Sequence, residues 1–102
     1  MGRMKTTAQD LEWLIALEDV IEQRKSESPD ASYTAKLFSQ GLSRMAQKVG
    51  EEGLETALAA ATNDKNFIDE ASDLIYHLLV LLNAKGCRLK DVSQCLKTRH
   101  KK

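Results

Sequence analysis

Apolar residues recur at helical spacing along nearly the whole chain, with polar residues filling the other side. From about Thr7 to Arg24, Leu11, Leu14, Ile15, Leu17 and Ile21 keep to one stripe, with Glu18 among them, which predicts a first helix. Residues 25–32, with Ser28-Pro29-Asp30, read as a loop. A shorter helix is predicted from Tyr33 to Gln40, ending near Gly41, a residue suited to a helix C-cap. The third segment, about Leu42 to Thr62, has a face of Leu42, Met45, Val49, Gly53, Ala57 and Ala60, whose small members suit close helix approach. The fourth, about Asn66 to Lys85, is the most apolar, with Phe67, Ala71, Leu74, Ile75, Leu78, Leu79, Leu81 and Leu82 before Gly86 stops it. A last helix from about Leu89 carries Leu89, Val92 and Leu96. One proline, five scattered glycines and no sustained alternation argue against a sheet. The expectation is an all-α bundle of about five helices, one domain over residues 1–102, with frayed ends at 1–6 and 99–102.

The apolar arc of the fourth segment is wider than the ~100° stripe of an ordinary surface helix. In so short a chain the other segments do not supply enough cover, so a homodimer is expected to complete a four-helix core. Burial within one chain is the competing reading.

Composition changes the picture mainly by exclusion. At 102 residues there is room for one core. Lys+Arg 15 against Asp+Glu 15 gives no net charge, so nothing points to nucleic acid or a membrane surface. The basic run Lys97, Arg99, His100, Lys101 and Lys102 reads as a solvated tail. No apolar run approaches the ~20 residues of a membrane span, and the start lacks a secretory apolar region. Cys87 and Cys95 are too few for a disulfide framework, so reduced thiols and a cytoplasmic setting are expected.

Candidate chemistry lies in two acidic clusters, Glu51-Glu52-x-x-Glu55 and Glu70-x-x-Asp73. At about 100° per residue each keeps its carboxylates on one side of its helix. Asn63-Asp64-Lys65 between them is a short polar break of the kind that joins antiparallel helices. Glu55 and Asp73 are each nine residues from Asp64, which predicts that they stand at one height. Facing carboxylates repel unless a cation sits between them, and Mg²⁺ takes oxygen ligands. Lys48 lies one turn before Glu52 and Arg44 a turn earlier, as a site for a metal-bound polyphosphate requires. A solvated acidic surface would need none of these alignments. His77, a turn beyond Asp73, reads first as a hydrogen-bonded supporting residue, because Mg²⁺ disfavours imidazole. Tyr76 reads as a packing residue with a wet hydroxyl.

Taken together, Ser32-Tyr33-Thr34-Ala35-Lys36-Leu37, Gln47-Lys48-Val49-Gly50-Glu51-Glu52-Gly53-x-Glu55, Ala59-Ala60 and Glu70-Ala71-Ser72-Asp73-Leu74-Ile75-Tyr76-His77-Leu78-Leu79-Val80 resemble the phosphoribosyl-ATP pyrophosphatases of histidine biosynthesis. Those enzymes belong to the all-α nucleotide pyrophosphatase (MazG-like) superfamily. The resemblance covers about Leu11 to His100. It implies Mg²⁺-dependent hydrolysis of phosphoribosyl-ATP to phosphoribosyl-AMP and pyrophosphate, with Glu52, Glu55, Glu70 and Asp73 as metal ligands and Glu51 as an accessory carboxylate. Glu51 or Glu55 is then the acceptor of the attacking water's proton. Lys48 and Lys36 become candidates for phosphate contacts, and Tyr33 and His77 for further substrate contacts. In some organisms this domain follows a phosphoribosyl-AMP cyclohydrolase, which is absent here, so the next step is expected on another chain.

Two other readings share these residues. A housecleaning nucleoside triphosphate pyrophosphatase would keep the acidic core but change the base pocket. A non-catalytic helical dimerisation module would leave the acidic faces merely solvated.

Overall fold

The computed structural model describes residues 4–101 and contains five α-helices and no strand among them. They are α1 (Ala8–Arg24), α2 (Tyr33–Gln40), α3 (Leu42–Ala61), α4 (Phe67–Ala84) and α5 (Leu89–His100). Each predicted helix is present, with ends within a residue or so of the periodicity. The predicted fray at the C-terminal end is corrected, because Arg99 and His100 are helical. Residues 1–3 and 102 lie outside the described residues.

Local chemistry explains the boundaries. Thr7 caps α1: its Oγ1 accepts from Asp10 N at 3.2 Å, and the Asp10 carboxylate accepts from Thr7 N at 2.8 Å. Ser32 does the same for α2 through Ala35 N at 3.0 Å. Gly41 separates α2 from α3 at φ 94°, a conformation that an L side chain rarely adopts. The α3–α4 turn closes with Asp64 N on Ala59 O at 2.9 Å around Asn63 at φ 55°. That is the usual left-handed helix stop, with asparagine in glycine's place. Gly86 ends α4 the same way, with Cys87 N on Leu82 O at 2.8 Å.

The longest helices, α3 and α4, form an antiparallel hairpin, with α1 packed on α4 and α2 packed on α3 and α1. Ile21, Leu37, Met45, Leu79 and Val80 form the buried centre. Leu17, Phe38, Tyr76, Leu81, Leu82 and Leu89 pack around it. α5 buries no residue; polar contacts hold its start to α1, with Leu89 N donating to Glu18 at 2.6 Å and Arg88 paired with Asp19 at 3.0 Å.

This core leaves part of α4 uncovered. Ile68 and Ile75 are exposed, and Ala71, Leu78 and Leu82 are half-buried. Ile68, Ile75 and Leu82 recur every seven residues, so they form one stripe. Among the described residues no helix is long and apolar enough to cross a membrane.

Candidate metal and polyphosphate site

The α3–α4 hairpin builds the acidic site. The Thr56 hydroxyl lies 2.7 Å from the carbonyl oxygen of Glu52 and 3.0 Å from that of Glu70 on the opposite helix. Gly53, one turn earlier, faces Leu74. These contacts place Glu55 opposite residues 71–72, between Glu70 and Asp73, and it is the Glu70 carboxylate that Glu55 meets. The predicted equal height of Glu55 and Asp73 is therefore off by one to two residues. The chain reverses at Asn63 and not about Asp64, which moves the residue facing Glu55 from 73 toward 71.

One carboxylate oxygen from each of Glu52, Glu55 and Glu70 lies within 4.8 Å of the other two. Glu52 is buried, Glu70 half-buried and Glu55 exposed, so the cluster opens to solvent on one side. Packing holds like charges together here, and Glu70 registers it. The hydrogen bond with Glu55 pushes its carboxyl above the ordinary range, helped by burial and by the charges of Glu55, Glu52 and Asp73. Asp73 is exposed and outside the tight group of three, yet near enough for its charge to act on Glu70.

The donor set fits Mg²⁺. All its atoms are carboxylate oxygens, and an octahedral ion about 2.1 Å from each ligand holds them about 3–4 Å apart. The three oxygens lie within 4.8 Å of one another, and Glu55 is exposed at the open side.

Beside the carboxylates runs a basic strip. Lys48 Nζ lies 3.4 Å from Glu51 and 3.6 Å from Glu52. Burial works to lower the Lys48 ammonium's pKa, but the neighbouring Tyr33, Glu51 and Glu52 outweigh it, so the net shift is upward. Glu51 turns toward this strip, accepting from Gln47 at 2.9 Å and facing Arg44 at 3.9 Å. Both of its oxygens are thus engaged by cationic or donor groups, which makes it less available as a proton acceptor than Glu55.

The start of α2 sits over α4 through an aromatic cluster. The Tyr33 hydroxyl lies 2.9 Å from His77 Nε2, and His77 Nδ1 lies 2.8 Å from the carbonyl oxygen of Asp73. Tyr33 and Tyr76 both meet the His77 ring edge-on. His77 is therefore buried with both nitrogens occupied. Tyr76 hydrogen-bonds the buried Thr34 hydroxyl, so the predicted wet hydroxyl is corrected, and burial raises its phenol pKa. Lys36 is exposed on α2, one turn after Tyr33.

The family described as phosphoribosyl-ATP pyrophosphohydrolase matches residues 14–100. The chain belongs to that family. Among curated relatives, the histidine biosynthesis bifunctional protein HisIE of Shewanella oneidensis is 59% identical over 87 residues, covering 84% of this chain and 41% of the relative. Those of Vibrio vulnificus and Escherichia coli are 54% and 53% identical over 90 and 95 residues, covering 87% and 92% of this chain and 43% and 47% of theirs. The chain thus spans less than half the length of these relatives. They are described as bifunctional single chains, which gives no support to the expectation that a separate chain performs the next step.

Three residues that shape this site were given no role from the sequence. Thr56 stands mid-helix with no sequence signal, and Thr34 and Gln47 stand in the strings that carry the resemblance without a role of their own. Gln47 could have been found from its i,i+4 spacing to Glu51.

Proposed function

We propose that this chain hydrolyses phosphoribosyl-ATP at its α–β phosphoanhydride, releasing pyrophosphate and phosphoribosyl-AMP in the second step of L-histidine biosynthesis. The observation that carries this is a packed cluster of three carboxylates flanked by a lysine ammonium, in a chain of the phosphoribosyl-ATP pyrophosphohydrolase family.

Glu52, Glu55 and Glu70, with Asp73 at the rim, are the residues that would hold Mg²⁺. When bound, the ion neutralises triphosphate oxygens and lowers the pKa of a water. Lys48 stabilises negative charge on the phosphates as it builds up, and Lys36 offers a second cation from α2. Water adds to one phosphorus of the α–β bridge, the bridging P–O bond breaks, and pyrophosphate leaves. The water's proton passes to a carboxylate oxygen not engaged by metal, and Glu55, exposed and unpaired with any cation among the described residues, suits this better than Glu51. Tyr33 contributes to substrate binding.

The exposed Ile68 and Ile75, two turns apart on α4, support a homodimer packed on that helix. Cys87 and Cys95, both free, suit a cytoplasmic setting. The product would serve a phosphoribosyl-AMP cyclohydrolase.

The test is pyrophosphate release from phosphoribosyl-ATP with and without EDTA, alongside ordinary nucleoside triphosphates. EDTA-sensitive release with preference for phosphoribosyl-ATP is expected. Equal turnover of common nucleotides would favour a housecleaning role, and no release from either would favour a non-catalytic module.

A further inference from the structure

His77 is 6% exposed, and each of its ring nitrogens has a partner. The partners differ in what they can do. The carbonyl oxygen of Asp73 can only accept, so Nδ1 carries the hydrogen. In the tautomer with its hydrogen on Nδ1, Nε2 offers a lone pair, and the Tyr33 hydroxyl donates to it across 2.9 Å. The only proton of that hydroxyl is thereby committed inward.

Any further hydrogen bond of the Tyr33 oxygen is then one that it accepts. The residue is 50% exposed, and its ring is held in place, 5.7 Å and 85° from His77 and 6.1 Å from Tyr76. Phosphate oxygens are acceptors and gain nothing from a second acceptor. A ribose hydroxyl or a base amino group is a donor and fits. Lys48, whose ammonium lies 3.4 Å from Glu51 and 3.6 Å from Glu52, supplies the donors that phosphate needs.

The geometry points to a division of the site: Tyr33 accepts a hydrogen bond from a hydroxyl or amino group of the sugar–base part of the substrate, and His77 is the positioning residue that fixes this polarity. The inference rests on the reading of a phosphoribosylated nucleotide as substrate. It makes His77 act through Tyr33 and not by touching substrate, which its burial prevents.

Two probes separate the parts: an α,β-methylene analogue of phosphoribosyl-ATP, which keeps the sugars and base, and inorganic tripolyphosphate, which has neither. Both are titrated calorimetrically with Mg²⁺ into wild type, Tyr33→Phe, His77→Phe and the double variant. Loss of one hydrogen bond predicts about tenfold weaker analogue binding in each single variant. The double variant should be no worse than the weaker single, and tripolyphosphate binding should stay within about twofold of wild type. If His77→Phe does not fold, Tyr33→Phe alone still tests the accepting oxygen. Weaker tripolyphosphate binding by Tyr33→Phe would overturn the assignment, since Tyr33 would then meet phosphate. Additive losses in the double variant would overturn the role given to His77. Equal binding of the two probes by wild type would overturn the whole proposal. Tight analogue binding without pyrophosphate release from phosphoribosyl-ATP would instead overturn the hydrolytic reading, leaving the Tyr33 assignment to the variants.

Discussion

The Thr56 hydroxyl and the Glu70 carbonyl oxygen, 3.0 Å apart across the α3–α4 hairpin, fix the level at which the two acidic helices meet. The same hydroxyl lies against the carbonyl oxygen of Glu52, so one side chain ties together the backbones of two proposed ligands. Thr56→Val keeps the shape and removes the bond. It should cost about 1 kcal/mol of stability and weaken Mg²⁺ binding by loosening the register. Urea melts and a Mg²⁺ titration of the variant check both effects; unchanged metal affinity would mean that helix packing alone sets the register.

Removing one carboxylate should separate charge from structure. Glu55→Gln or Asp73→Asn is expected to abolish pyrophosphate release with the helical circular dichroism intact. Apo Glu55→Gln should melt above wild type, because a repelling charge is gone. Mg²⁺ at a hundred times its dissociation constant should stabilise wild type by about 2.7 kcal/mol and either variant by less. Near wild-type turnover at limiting Mg²⁺ in both would remove these residues from the metal site.

The raised Glu70 carboxyl makes the apo protein sensitive to pH. The folded state holds this proton more tightly than the unfolded chain does, so its contribution is complete below the ordinary value of 4.5. That contribution is lost as pH rises through the higher folded value. Apo wild type should therefore lose stability relative to Glu70→Gln as pH climbs from about 4.5 toward neutrality, and saturating Mg²⁺, which needs the carboxylate ionised, should reverse that trend. Melts of both proteins across that range provide the comparison; parallel curves without metal would show that Glu70 does not sense its neighbours.

For Lys48, a surface role and a catalytic one predict different outcomes. If the ammonium only pairs with Glu51 and Glu52, Lys48→Met shifts stability slightly and leaves turnover alone. If it meets phosphate as charge develops, turnover should fall about a hundredfold or more. Lys48→Arg should restore only part, because a planar fork does not replace a point charge. Steady-state kinetics beside a urea melt decide between them.

Ile75 tests the apolar stripe on α4. It is exposed in the single chain, so a charge placed there stays solvated in a monomer but would be trapped in a dimer. Ile75→Glu should sediment as a folded monomer while wild type sediments as a dimer. Monomeric wild type at micromolar concentration would show that the stripe is simply solvent-facing.

Helix content, number and boundaries were legible in the sequence because they depend on local terms: apolar spacing, Thr7 and Ser32 as caps, Gly41 and Gly86 as stops. The acidic residues were legible too, since side chains three or four apart share a helix face whatever packs against it. Register was not. Counting from Asp64 paired Glu55 with Asp73, whereas the left-handed turn at Asn63 and the Thr56 contact put it opposite residues 71–72, where its carboxylate meets that of Glu70. A single residue's backbone angle moves every level along the hairpin, and no periodicity reports it. The orientation of Tyr33 against His77, 44 residues apart, depends on how α2 settles on α4. Such contacts arise only when the core closes, so the sequence by itself determined which residues could act, and tertiary packing decided which of them meet and in which direction each hydrogen bond runs.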